Sequence, residues 1–149
     1  MTSRPKYVLD TNCFIDAARD AQHALAFEAF VAREAPQLYL SAVVAAELRA
    51  GASRGQRTLE RAVLAPFLRR GRVLVPTLSA WDALGTTLAT LAQRDGVVLA
   101  QVSRGFTLDI LLAASCREAG AVLISSNTRD LERIASVFAF EFRAPYPPV

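Results

Sequence analysis

The 149-residue sequence contains only one histidine and two cysteines. A single histidine excludes acid–base catalysis by a histidine pair, and two distant cysteines are too few for a zinc cluster or a CxxC redox pair. We therefore predict that Cys13 and Cys116 are small buried hydrophobic residues. His23 has no other metal-ligand type near it in the sequence, and we expect it at the surface.

Long apolar runs are also absent, because no stretch approaches the ~18 residues that a membrane-spanning helix needs. The opening MTSRPKYVLD lacks the apolar centre of a signal peptide. We therefore expect a cytoplasmic protein that does not contact a membrane.

Lysine is almost missing, since Lys6 is the single exception among 17 basic residues and the others are arginines. The net charge is only +3. Arginine pairs with phosphate through two hydrogen bonds, so the composition is compatible with binding nucleic acid. Genomic base composition also enriches arginine and alanine, and charge alone therefore does not decide the function.

Short apolar runs of β-branched and aromatic residues alternate with helical stretches along the chain. The predicted strands are Lys6 to Leu9, Leu38 to Leu40, Val73 to Val75, Val122 to Ser125 and Phe140 to Phe142. The predicted helices are Ala21 to Ala35, Val43 to Ala52, Gln56 to Arg70, Ala80 to Gln93, Leu108 to Ala119 and Thr128 to Val137. This alternation predicts a single α/β domain over residues 1–149, with a mainly parallel five-stranded sheet and helices on both faces.

Three residues are predicted to mark helix ends. Thr107 is expected to cap the helix that starts at Leu108, and Gly120 to close that helix. Ser79 is expected to cap another helix, in an S-x-x-D pattern with Asp82.

Asp10 follows the first predicted strand, in the segment YVLDTN. Ligands of open α/β sheets gather at the carboxyl ends of strands, so this position favours a functional carboxylate. An aspartate after an apolar run is equally typical of a helix N-cap, here for a turn over Thr11 to Ala17. The position alone leaves both interpretations open.

Glu47 lies in the segment LYLSAVVAAELRAG, among apolar neighbours on its own helix. A partly buried carboxylate is costly unless it is protonated, paired or bound to a metal ion. The structural alternative is an ion pair with Arg49 or Arg54, which are close in sequence.

Asp109, Asn127 and Asp130 each have a structural alternative when they are considered alone. Asp109 is predicted in the first turn of a helix, where the helix dipole favours an acid. Asn127 and Asp130, in SSNTRDLERI, resemble a helix-capping box after a strand.

The joint placement of these residues favours function, because the predicted sheet allows all of them to face one edge. Converging oxygen ligands suit a hard divalent cation, and magnesium or manganese fits better than zinc, whose sites favour His and Cys.

Four segments together resemble the PIN-domain nucleases, and within them the VapC-like toxins of toxin–antitoxin pairs. They are VLDTN with Asp10, LSAVVAAELRAG with Glu47, FTLDILLAASCREAGAVLIS with Asp109, and SSNTRDLERI with Asn127 and Asp130. Their order and spacing extend over nearly the whole chain.

The resemblance implies a parallel sheet flanked by helices, and cleavage of single-stranded or looped RNA with Mg²⁺ or Mn²⁺. It also implies a homodimer and a small antitoxin protein that blocks the site. Asp10 and Asp109 would be the principal metal ligands, and Glu47 would bind the metal directly or through water. Thr11 and Ser125 would orient the carboxylates through their hydroxyls, and Asn12 would support the same turn.

Two positions depart from the family pattern. Asn127 stands where related nucleases often carry aspartate, and Leu131 stands where an aromatic residue is expected. A neutral Asn127 lowers the negative charge and disfavours a stable second metal ion, although Asp130 can compensate.

The densest basic region begins just after Glu47. It comprises Arg49, Arg54, Arg57, Arg61, Arg69, Arg70 and Arg72. Three interpretations stay open for it: a path for RNA phosphates, a contact with the antitoxin, or a solvated helix face on which Glu60 is a partner. Arg104, shortly before Asp109, is a further candidate for contacting phosphate.

Two rival functions follow from the same residues. The chain could be a catalytically weak or silent RNA-binding or regulatory PIN-like module, because its acidic set is depleted at Asn127. A phosphatase with an aspartyl nucleophile at Asp10 is disfavoured, since such sites usually read D-x-D and the second position here is Asn12.

Overall fold

The structure is a computed structural model and describes residues 4–52 and 54–148. Its strands are β1 (Lys6–Leu9), β2 (Leu38–Ser41), β3 (Val73–Leu74), β4 (Ala121–Ile124) and β5 (Phe142–Arg143). Its helices are α1 (Thr11–Arg19), α2 (Ala21–Glu34), α3 (Ala42–Gly51), α4 (Gln56–Thr58), α5 (Ala65–Arg69), α6 (Leu78–Asp95), α7 (Arg104–Ala119) and α8 (Thr128–Ala135). A π-helical segment, Leu59–Leu64, joins α4 to α5, and 3-10 turns occupy Ala35–Gln37 and Leu99–Gln101.

The five strands form one sheet in the order β3-β2-β1-β4-β5, and every neighbouring pair is parallel. The chain moves outward from β1 to β3 and then returns to β4 on the other side of β1. This reversal lies between β1 and β4, whose last residues Leu9 and Ile124 are register partners. Open parallel sheets bind ligands beside such a reversal, at the carboxyl ends of the strands. Asp10 and Ser125 directly follow these two strand ends.

Both faces of the sheet are buried, as is usual for parallel sheets. Alternate residues of β4 enter different core clusters: Ala121 and Leu123 pack in one, and Val122 and Ile124 in the other. The predicted α/β fold with a five-stranded sheet and flanking helices is confirmed, and the sheet is fully parallel rather than mainly so.

The histidine and the two cysteines lie where the sequence predicts. Cys13 and Cys116 are buried and unpaired as free thiols. His23 is exposed and lies 3.2 Å from the carboxylate of Asp20. Among the described residues, no helix combines the length and the apolar character needed to cross a membrane.

Two predicted helix starts are wrong. Helix α7 begins at Arg104, one turn before the predicted Leu108, because Ser103 Oγ accepts a hydrogen bond from the backbone N–H of Phe106 at 3.0 Å. Asp109 therefore lies in the second turn of α7 and not in the first, which weakens the helix-dipole explanation for it.

Helix α6 begins at Leu78 because Thr77, rather than Ser79, caps it by accepting from the backbone N–H of Ala80 at 3.2 Å. The hydroxyl of Ser79 instead donates to Glu118 at 2.8 Å.

Other predicted bounds differ by one or two residues, as at β4, which is observed at Ala121–Ile124 rather than Val122 to Ser125. The predicted strand Phe140 to Phe142 is observed at Phe142–Arg143, where Phe142 pairs with Leu123 of β4. The ring of Phe140 packs against the rings of Phe138 and Phe142. Strand β3 ends one residue early, at Leu74. The helix predicted from Gln56 to Arg70 is interrupted by the π-helical segment.

Candidate functional site

Asp10 is buried, with 3% of its surface exposed, and accepts three hydrogen bonds. Its Oδ1 accepts from the backbone N–H of Thr11 at 2.7 Å, and its Oδ2 accepts from Ser125 Oγ at 2.7 Å and Asn12 Nδ2 at 3.3 Å. Asp10 is also the N-cap of α1. The capping interpretation is thus correct, but Asp10 also accepts hydrogen bonds from the side chains of Ser125 and Asn12, which capping does not require.

Glu47 reaches the same region from α3, where it is half-buried. Its Oε1 accepts from Thr11 Oγ1 at 3.1 Å, so Thr11 joins Asp10 to Glu47. The alternative pairing with Arg49 is wrong, because Arg49 binds Glu60 at 2.6 Å. Arg54 is exposed, and within residues 4–52 and 54–148 it forms no salt bridge with Glu47.

Asp109, Asn127 and Asp130 form the other half of the site. Asn127 Nδ2 donates to Asp109 Oδ2 at 2.9 Å and to Asp130 Oδ2 at 3.2 Å. The side chain of Asn127 makes no capping bond to α8, so the predicted capping box is wrong. The amide instead holds two carboxylates near each other, which a third carboxylate at this position would oppose.

Ser125 and Asn12 link the two halves. Ser125 Oγ, which donates to Asp10, accepts from the backbone N–H of Asn127 at 3.0 Å and from Asn12 Nδ2 at 3.0 Å. Asn12 Oδ1 accepts from the backbone N–H of Ser126 at 3.1 Å. The turn after β1 is thereby bonded to the turn after β4. Sequence reasoning missed Ser126, since a backbone contribution leaves no signal in residue type.

One continuous hydrogen-bond network therefore contains all the predicted site residues other than the arginines. We call this network the acidic centre, and its members are Asp10, Thr11, Asn12, Glu47, Asp109, Ser125, Asn127 and Asp130. Of the arginines, Arg104 lies close enough to lower the pKa of Glu47, whereas Arg49 is held by Glu60.

Three carboxylates of the acidic centre, those of Asp10, Glu47 and Asp109, resist ionisation. Burial raises the pKa of Asp109 to about 7, and the negative charges of Asp10, Glu47 and Asp130 add to this effect. Burial also raises the pKa of Asp10, which its hydrogen bonds to Ser125, Thr11 and Asn12 oppose. The pKa of Glu47 is raised mainly by burial as well. Because these charges repel one another, a bound cation would stabilise them.

The donor chemistry fits a hard divalent cation. Asp109 Oδ1, Asp130 Oδ1 and Glu47 Oε2 accept no hydrogen bond from the described residues, and they are open to solvent because every buried side-chain oxygen there has a partner. Carboxylate and amide oxygens are the ligands that Mg²⁺ and Mn²⁺ prefer. Among the described residues, no three His, Cys, Asp or Glu side chains are already arranged as a metal-binding group. Cation binding would therefore require the carboxylates to move closer together.

Solved structures with a similar fold include bacterial complexes. Over 96% of this chain and 100% of the other, the structure resembles DNA-bound VapBC from Salmonella typhimurium, with a TM-score of 0.70 and 23% identity. VapBC2 from Rickettsia felis, bound to a promoter DNA fragment, aligns over 93% and 97% with a TM-score of 0.67 and 21% identity. A toxin–antitoxin complex from Klebsiella pneumoniae aligns over 96% and 100% with a TM-score of 0.61 and 21% identity.

No curated protein matches this chain in sequence. The family model of the PIN domain, in contrast, matches residues 7–137, a range that includes every member of the acidic centre. The chain belongs to the PIN domain family, a family of nucleases.

Proposed function

We propose that this protein is a metal-dependent endoribonuclease in which Asp10, Asp109 and Glu47 hold Mg²⁺ or Mn²⁺. The observation that carries this proposal is the acidic centre, where hydrogen bonds bring four carboxylates together beside the reversal of the sheet. The PIN family match supports hydrolysis of a nucleic acid.

The protein's own groups would divide the work. Thr11, Asn12 and Ser125 fix the orientation of the carboxylates, as partners of metal ligands usually do. Arg104, at the start of α7, would bind the substrate phosphate near Glu47, and the N-terminal end of α7 would add positive potential. The cation would lower the pKa of water and offset charge on the phosphate. Attack of water on phosphorus, with departure of the 3′ oxygen, would leave a 5′-phosphate and a 3′-hydroxyl.

Cleavage of an end-labelled RNA tests the proposal. The purified protein should cleave with Mg²⁺ or Mn²⁺ and stop when a chelator is added. Asp10→Ala and Asp109→Ala should each lower the rate by at least ~100-fold, in line with losses at other charge-stabilising sites. Asp82→Asn, which neutralises an exposed carboxylate on α6, is the matched control and should cleave normally. Normal cleavage by both alanine variants would contradict the proposal.

We further propose that the protein is the toxin of a toxin–antitoxin pair. The structural similarity to toxin–antitoxin complexes supports this role, and so does an apolar groove of about 670 Å³ beside the acidic centre. Phe14, Phe27, Val31 and Phe67 line the groove, and Glu47 lies in its wall. An apolar segment of the antitoxin in this groove would reach Glu47 and block the centre.

Co-expression tests the partner proposal. Expression of the protein alone should arrest growth, and the product of a short neighbouring reading frame should relieve the arrest. Ala18→Glu places a charge in the groove and should weaken that relief, whereas Ala26→Glu on the exposed face of α2 should not. If that product relieves the growth arrest caused by both variants equally, the groove is not the surface that contacts the antitoxin.

A homodimer is also proposed, because large apolar side chains are exposed around the start of α6. Val75, Leu78 and Trp81 are 67%, 78% and 54% exposed, and a second copy would cover them. Light scattering should show a dimer that Trp81→Glu converts to a monomer. Leu25→Glu, at an exposed apolar residue outside this surface, should leave the dimer intact. A Trp81→Glu variant that stays dimeric would exclude this surface.

A catalytically silent RNA-binding module is the second candidate function. It is favoured by the neutral Asn127, whose amide already occupies oxygens of Asp109 and Asp130. Titration calorimetry separates the two functions. Binding of Mg²⁺ or Mn²⁺ supports the nuclease, whereas RNA binding without any metal binding supports the silent module.

A further inference from the structure

A second cavity, of about 360 Å³, adjoins the acidic centre on the side of α8. It lies between the segment that follows α6, the start of α7 and the middle of α8. Its polar lining includes Gln101, Asp130 and Arg133, and Phe106 forms part of its wall. This volume falls within the roughly 300–1,000 Å³ of typical small-molecule sites.

The guanidinium of Arg133 contacts an aromatic ring and keeps its N–H groups unpaired among the described residues. Its guanidinium lies 4.7 Å from the centroid of the Phe106 ring, and that ring is buried, with 7% of the residue exposed. This cation–π contact holds the guanidinium beside the ring. Among the described residues, no acceptor takes a hydrogen bond from the guanidinium of Arg133, and no carboxylate forms a salt bridge with it. Its N–H edge therefore remains available to a ligand.

Asp130 connects the cavity to the acidic centre. Its Oδ2 accepts from Asn127 Nδ2 at 3.2 Å, and the same amide donates to Asp109. Its Oδ1 is free to accept another hydrogen bond. Asp130 and Arg133 are three residues apart on α8 and thus lie on one helix face. The cavity consequently presents a carboxylate acceptor and a planar guanidinium donor side by side.

We propose that this cavity binds an unpaired guanine base next to the phosphate that is cleaved. Guanine offers O6 and N7 to an arginine fork, which is the commonest specific arginine–base contact. Its N1–H and N2 amino groups can donate to a carboxylate such as Asp130. Adenine presents an amino donor where arginine needs an acceptor, and uracil and cytosine lack the N7 acceptor. Bases in single-stranded RNA are free to enter such pockets.

The inference rests on the proposed RNA substrate, but its test does not require cleavage. Short fluorescent RNAs that differ at one position, carrying guanine, 7-deazaguanine or adenine, are titrated against Asp109→Asn protein and followed by anisotropy. Guanine should bind at least about fivefold more tightly than 7-deazaguanine or adenine, at the low end of the range for a bidentate contact.

Substitutions at Arg133 sharpen the test. Arg133→Lys retains the charge but loses the planar fork, so the preference for guanine over 7-deazaguanine should fall while affinity for adenine-containing RNA changes little. Arg129→Ala removes a neighbouring exposed charge on α8 and should retain the preference.

The possible outcomes separate this inference from the proposed function. Equal binding of all three RNAs to Asp109→Asn, when the wild-type protein cleaves RNA, overturns the guanine site alone. An undiminished preference for guanine over 7-deazaguanine in Arg133→Lys also overturns it. A preference that depends on Arg133 in a protein that cleaves no RNA supports the site and contradicts the nuclease.

Discussion

Asp10 and Asp109 are both buried in the acidic centre, but their surroundings differ. Asp10 accepts hydrogen bonds from one backbone N–H and two side chains, whereas Asp109 accepts one, from Asn127. Burial, together with the negative charges of three other carboxylates, raises the pKa of Asp109 to about 7. Hydrogen bonds to an ionised carboxylate stabilise it, and nearby negative charges destabilise it.

The contrast indicates two different roles within one centre. The Asp10 half is already oriented and bonds β1 to β4, so its geometry does not depend on a cation. The Asp109 half contains repulsion that either a proton or a cation relieves. Four substitutions test this contrast, and we expect the largest effect at Asp109 and the smallest at Thr11.

Asp109→Asn should stabilise the metal-free protein at pH 8 by on the order of 2 kcal/mol. The folded protein binds the Asp109 proton more tightly than the unfolded chain does. Wild type therefore loses stability as the pH rises from 3.8 to about 7, and the asparagine variant avoids this loss. Urea unfolding at pH 4 and pH 8 in chelator measures the difference.

Asp10→Asn is the counterpart in the same experiment. It should destabilise the metal-free protein by about 1 kcal/mol, because an asparagine amide nitrogen cannot accept the hydrogen bonds that Asp10 Oδ2 accepts. We expect this loss to exceed the gain from removing a buried charge, whose pKa is also raised by burial. If both variants stabilise the protein equally at pH 8, the two halves do not differ as described.

Asn127→Asp should raise the affinity for Mg²⁺ or Mn²⁺ about tenfold, because it adds a carboxylate to the oxygen ligands. The same change removes the amide that bridges Asp109 and Asp130, so the metal-free protein should become less stable at pH 8. Calorimetric titration with the metal measures the affinity. Unchanged affinity would place Asn127 outside the cation site.

Thr11→Val should have the smallest effect, a loss of roughly twofold to fivefold in metal affinity, below the usual range for partners of metal ligands. It deletes the hydroxyl that binds Glu47 but keeps the backbone N–H that Asp10 accepts. If Thr11→Val lowers the metal affinity as much as Asp10→Asn does in the same titration, Glu47 rather than Asp10 anchors this half of the acidic centre.

The sequence predicts the placement of Asp10 and Asn127 well, because both follow strands whose carboxyl ends meet in a parallel sheet. Glu47 is recognisable since a charge within an apolar helix face needs a partner. Their ligand roles stay predictions. The amide bridge at Asn127 was not predictable, because Asn127 also suits an N-cap and only the position of Asp109 in space selects the bridge.

Helix starts were harder to predict than the fold. Ser103 and Thr107 can both cap a helix, and the local sequence does not rank them. The structure selects Ser103, whose cap brings Arg104 into α7 and Phe106 into the core. The π-helical interruption at Leu59–Leu64 likewise has no local signal such as proline or glycine within it.

The bond between Asp10 and Ser125 joins residues that are 115 positions apart in the chain. During synthesis, the first strand leaves the ribosome long before its neighbour β4 exists. A nascent chain that ends before Asn127 lacks the amide that bridges Asp109 and Asp130. It also lacks the backbone N–H that donates to Ser125 Oγ. The acidic centre can therefore form only after Asp130 has left the ribosome, and a product truncated before Asn127 would lack it.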